Sequence, residues 1–142
     1  MKHLSFRGLA ILIFFTGSCS VPNLESSECA AARIVVREFY SFHFGNEMKF
    51  SQQNLAARKR FLTSELFESL ASAQSEGDVF TIGSDDVPKA FRVGACEEQS
   101  PARVSLDVLL FWRDDVRSEQ RQIKAEVVRQ GETWLVNSIF VP

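Results

Sequence analysis

The apolar residues of this chain change their spacing once. In the stretches 29–44 and 64–73 they recur every three to four positions, and from Phe91 onward every second one. In Val104–Trp112 the even positions are Val104, Leu106, Val108, Leu110 and Trp112, all apolar. The odd ones, Ser105, Asp107, Leu109, Phe111 and Arg113, are mixed. Ile123, Ala125 and Val127 then alternate with Gln122, Lys124 and Glu126. A helix presents one face every 3.6 residues and a strand every 2, so helices precede a strand meander. The fold class is α+β, with N-terminal helices packed on an antiparallel sheet.

Ser26 or Ser27 is placed to cap a first helix running from Cys29 to about Phe44, closed by Gly45-Asn46. Its apolar residues form two faces, one of Ile34, Val35, Phe39 and Phe42, the other of Ala32, Val36, Tyr40 and Phe44. A helix so broadly apolar must be covered on several sides. Residues 46–62 show no clear period. Thr63 or Ser64 then caps a helix to about Ala73, with Leu66, Phe67 and Leu70 on one face. The strands read as Phe91–Cys96, Val104–Trp112, one around 122–127, and Trp134–Val141. The loop EEQSP precedes the second, and Gln130-Gly131-Glu132 turns the chain into the last. That final strand is apolar on both faces, which predicts a central place in the sheet.

The N-terminus has the build of an export signal. Lys2, His3 and Arg7 precede the apolar run Gly8–Phe15, and small residues follow through Ser20. The run is less than half the ~20 residues a membrane span needs. Residues 1–18 read as a signal peptide, 19–28 as a tether and 29–142 as one α+β domain. The remainder is too short for two domains. Loss of Lys2 and Arg7 would shift the formal charge from −2 to −4. Arg58-Lys59-Arg60 is the one basic cluster and reads as a solvated face, so no nucleic-acid partner is expected.

Three cysteines is an odd number for an exported chain. Thr16-Gly-Ser-Cys19 resembles a bacterial lipoprotein signal, though position 16 usually holds a bulky aliphatic residue. The resemblance implies lipid at Cys19, a membrane anchor and a place in the cell envelope. Ser20, rather than Asp, implies the outer membrane in a double-membrane bacterium. Ordinary cleavage nearby is the alternative. With Cys19 lipidated, Cys29 and Cys96 remain as a natural disulfide pair. Regular alternation in 91–96 points Cys96 away from the core, so the two would have to meet at a strand end.

Four stretches resemble a bacterial exported family known as domain of unknown function number 3828. They are REFYSFHF (37–44), FTIGSDDVPKAFRV (80–93), ARVSLDVLLFW (102–112) and GETWLVNSIFV (131–141). More broadly, the helix, Asp-rich turn and meander resemble the nuclear-transport-factor-2-like superfamily. That resemblance implies a cone of sheet wrapped around the first helix, on a fold that carries enzymes and inert scaffolds alike.

An enzyme of this kind would place an ionisable group inside the cone. The alternation turns Asp107, Lys124 and Glu126 outward, leaving Tyr40 and His43. Tyr40 reads as a core residue with its hydroxyl at the rim, and His43 as surface or a helix-end charge. No nucleophile–base set accompanies them, and no cofactor or metal is expected. Asp85-Asp86 and Asp114-Asp115 lack calcium-loop spacing and suit turns. Arg33, Arg37 and Glu38 read as solvent-side pairs. Trp112 and Trp134 with Tyr40 either pack the core or line the mouth of an apolar pocket. Three functions follow: a non-enzymatic binding module for a protein or small apolar ligand, an isomerase or dehydratase using Tyr40 or His43, or a homodimer packed through Leu109 and Phe111.

Overall fold

The computed structural model describes residues 25–45, 52–73, 77–83 and 86–142. The signal segment and Cys19 lie outside these. Helix α1 is Ser27–Gly45, α2 Gln52–Arg58 and α3 Ser64–Ser72. The strands are β1 Ala90–Ser100, β2 Arg103–Arg113, β3 Ser118–Gln130 and β4 Thr133–Phe140, in the order β1-β2-β3-β4, all antiparallel. The result is three helices on a curved four-stranded sheet, α+β as expected.

Helix α1 touches all four strands. Ser26 caps it by accepting from the Cys29 amide at 3.2 Å, and Ala32, Val36, Phe39, Tyr40 and His43 are buried beneath it. The buried set follows one stripe, so Ile34 from the expected first face is exposed (58%). Thr63 caps α3, its Oγ1 accepting from the Leu66 amide at 3.2 Å. Helix α2, unread in the sequence, ends in a 3₁₀ turn, Lys59–Phe61, that buries Phe61.

The even positions of β2 face α1, and Val104, Leu106, Val108, Leu110 and Trp112 are buried there with Ile123, Ala125 and Val127. Asp107 is on the opposite face, 3.3 Å from Lys124. The register is the one the alternation requires, and no carboxylate of β2 enters the interior. Leu109 on that outer face is buried and Phe111 half-buried. The pair therefore makes no exposed patch for a homodimer.

Two expectations about strand position and extent change. Strand β4 is an edge strand, not a central one. Its margin is covered by the segment after α2: Leu62 bridges to Val136, and the Thr63 amide donates to the Val136 carbonyl at 3.0 Å. Cover by a passing segment explains apolar residues on both faces. Strand β1 also runs on through the predicted EEQS loop, with Glu97 opposite Ser105 and Glu98 opposite Val104.

Within β1 the pairing slips: Val93 lies opposite Val108, and Cys96 opposite Leu106, so Gly94 and Ala95 share one partner position. This bulge inverts the alternation and swings Cys96 inward. There it is bonded to Cys29 of α1, with Cα atoms 5.9 Å apart. The sulfurs meet in mid-strand, not at a strand end. Arg33, one turn along α1, donates to the Val93 and Gly94 carbonyls at 3.1 and 2.6 Å and pairs with Glu25. Its side chain is only 17% exposed, so it is not a solvent-side charge. Glu25, just before α1, is thus tied to the folded body.

A bridge spanning 67 positions stabilises by up to about 4 kcal/mol in the chain-entropy view. Unreduced peptide mapping is expected to recover Cys29 and Cys96 in one linked fragment. Cys29→Ser and Cys96→Ser should each lower stability by up to that amount, and the double variant by no more than either.

Candidate functional site

The far end of α1 carries a chain of buried polar groups that the sequence reading only half contained. His43 is 2% exposed, Arg58 2% and Asp78 3%. The Arg58 Nε–H donates to His43 Nδ1 at 2.7 Å, and His43 Nε2 lies 2.5 Å from Asp78 Oδ2. A guanidinium has no acceptor, so Nδ1 must be the accepting nitrogen and Nε2 the one that donates. Asp78 Oδ1 accepts from the Phe80 amide at 2.9 Å, while Arg58 Nη1 reaches the Asn54 carbonyl at 2.6 Å. One cation and one anion are bridged by an imidazole, and each is further anchored to backbone.

This corrects two expectations. His43 is neither surface nor a lone helix-end charge, and Arg58 does not join Lys59 and Arg60 on the solvated face. The reason is position: His43 falls three and four residues after Tyr40 and Phe39, on the stripe facing the core. Arg58 and Asp78 went unrecognised. Nothing local marks them, because their partner lies 15 and 35 residues away.

Tyr40 is fully buried, and its hydroxyl donates to the Phe80 carbonyl at 3.0 Å, well inside the rim. Burial, reinforced by the Asp78 charge, pushes the phenol well above its ordinary value. Aromatic rings fill the surroundings. Phe39 sits 4.9 Å from Phe80 and 5.0 Å from Tyr40, His43 5.1 Å from Phe80, and Tyr40 5.7 Å from Phe91. A general base needs a ring nitrogen with a free lone pair facing a substrate. His43 has none, and the Tyr40 proton is already donated.

The tryptophans do not join them. Trp112 donates its indole N–H to the Asp86 carbonyl at 2.8 Å, under the guanidinium groups of Arg117 and Arg121. Trp134 pairs with Arg129, whose amide reaches Ala102, at the opposite end of β2. Ten positions of strand, roughly 30 Å at ~3.3 Å each, separate the two levels. Trp112 and Trp134 therefore cannot line one pocket mouth with Tyr40.

Trp134 does border an opening. A groove of about 560 Å³ runs between α1 and the start of β4, floored by Val35, Phe61 and Trp134, with Glu38, Ser41 and Arg60 at its rim. By contrast, the apolar void between α3 and β4, against Phe80, is about 50 Å³, too small for a substrate. Glu25 lies within reach of Cys29 and Cys96, but the bridged sulfurs offer a metal no thiolate.

No protein-family model and no curated protein matches the chain. Solved structures do. The Ntf2-like potential transfer protein TraM from the Gram-positive conjugative plasmid pIP501 aligns with a TM-score of 0.56 at 16% identity, over 77% of this chain and 89% of that one. A protein of unknown function from Bacteroides thetaiotaomicron gives 0.48 at 17% identity, over 76% and 87%. An Ntf2-like protein involved in plasmid conjugation gives 0.47 at 14%, over 83% and 40%. The fold is thus of the nuclear-transport-factor-2-like kind. At these identities the likeness is one of fold.

Two measurements check the buried polar chain. Arg58→Ala leaves the Asp78 carboxylate buried without its cation and should cost about 3–5 kcal/mol, read as a lowered urea midpoint. The exposed Arg37→Ala should stay within about 0.5 kcal/mol. Tyr40 is the only tyrosine, so tyrosinate absorbance reports on it alone. Its folded value is raised, so the stability it contributes is present below about 10, the ordinary phenol value, and lost as pH rises above it. Tyrosinate should therefore appear together with unfolding and not before.

Proposed function

We propose that the protein is a non-enzymatic binding module, exported and held at a membrane by lipid on Cys19. The observation that carries the first part is the double engagement of His43: both ring nitrogens are bonded within the protein, and rings pack the space around it. The acid–base reading loses its best base, while an open, aromatic-floored groove offers a place to bind. TraM, described as a potential transfer protein, carries the same fold.

Export and anchoring rest on the sequence pattern of residues 1–20. The Cys29–Cys96 bridge adds support, since it takes up two of three cysteines and suits an oxidising compartment. Ser20 favours the outer membrane of a double-membrane cell. The narrower kinship with family 3828 rests on the four matching stretches alone.

Incubation with a bacterial small-molecule extract, followed by mass spectrometry, separates binder from enzyme. Unchanged compounds should be retained by the folded protein. A compound converted by the wild type and not by His43→Gln would overturn the reading. Mass spectrometry of the mature N-terminus should find a diacylglyceryl group on Cys19, and an unmodified terminus beyond it would exclude the anchor.

A further inference from the structure

We propose that the groove between α1 and β4 binds a small organic monocarboxylate with an aromatic or branched apolar body, its carboxylate on Arg60. This deepens the binding-module reading and rests on it. At about 560 Å³ the groove lies within the ~300–1,000 Å³ range of ligand sites. Its floor of Phe61, Trp134 and Val35 gives an apolar body rigid surfaces to lie on.

The head group follows from Arg60. Its guanidinium lies over two rings at once, 4.6 Å from the centre of Phe61 and 4.9 Å from that of Phe42. Those ring contacts hold the guanidinium at the groove's rim without engaging an oxygen acceptor. Among the described residues no carboxylate or carbonyl accepts from Arg60, whereas Arg33 and Arg117 each hold a carboxylate. A planar guanidinium fork held at the rim and without an oxygen acceptor is suited to a carboxylate. Glu38 on the same rim sets the charge limit. One anionic oxygen pair can face Arg60, but a phosphate dianion would bring a second negative charge toward Glu38 with no further cation in the lining. The geometry therefore selects a singly charged acid.

The test titrates the mature wild-type chain with 2-naphthoate, its neutral analogue 2-naphthamide and the cation 2-naphthylmethylamine, following amide and indole shifts by NMR. Naphthoate should give saturable shifts at Ser41, Thr133 and the Trp134 indole. The amide should bind at least tenfold more weakly, and the amine weaker still. Arg60→Gln should remove the preference for acid over amide, while Arg60→Lys should restore part of it. Glu38→Gln should tighten naphthoate alone. Equal affinity for acid and amide, preference for the amine, shifts centred elsewhere or no saturation would each overturn the proposal. A peptide ending in a free-carboxylate Trp that binds more tightly than naphthoate would overturn the small-molecule assignment. None of these failures touches the extract experiment, which tests binding without conversion for any ligand.

Discussion

A buried imidazole bonded on both sides holds this fold together at its aromatic end. Arg58 comes from α2, His43 from α1 and Asp78 from the segment leading to β1, so three separate pieces of chain converge on one ring. Two opposite charges are far too costly to bury singly, and here each has its counter-charge and its own backbone partner. The rings of Phe39, Phe44 and Phe80 pack against His43, whose two ring nitrogens are both engaged within the protein. The imidazole thus joins α1 to α2 and to the segment before β1.

The other end of α1 is secured by different means. A covalent bond to β1 and a guanidinium across the carbonyls of the bulge fix the helix to the sheet before its first two turns are complete. The two attachments support one another. The bulge turns Cys96 inward to be bonded, and Arg33 binds the Val93 and Gly94 carbonyls beside it. With both ends of α1 fixed, its flank beside β4 keeps a constant shape, which a preformed groove requires.

The sequence carried the fold well wherever period was sustained. The alternation of β2 and β3, the extent of α1 and a cap at the start of α3 were legible, because each reflects a local rule, whereas the single buried stripe of α1 was not. What escaped was long-range. The position of β4 at the edge depended on Leu62 and Thr63 covering it, which no pattern within β4 records. The inward turn of Cys96 depended on one extra residue at Gly94-Ala95. For the site, Tyr40 and His43 could be named from the sequence, but their bonding partners Arg58, Asp78 and Phe80 could not. Trp112 and Trp134 looked like neighbours from strand order, but antiparallel direction sends them to opposite ends. An alternation pattern records which face a residue occupies and not how far along the sheet it lies.

The bonds at Val136 and at Val93–Gly94 bear on more than internal stability. An open sheet has two outer margins, and bare margins invite unrelated chains to add to them. In this protein a foreign strand aligning with β4 finds the Val136 carbonyl taken by Thr63. One aligning with β1 finds the bulge carbonyls taken by Arg33, and beyond them Glu97 and Glu98 on opposite faces of the strand, Glu97 paired with Lys124. The same few contacts that set the shape of the sheet thus shield it from unwanted templating where neighbouring proteins are crowded.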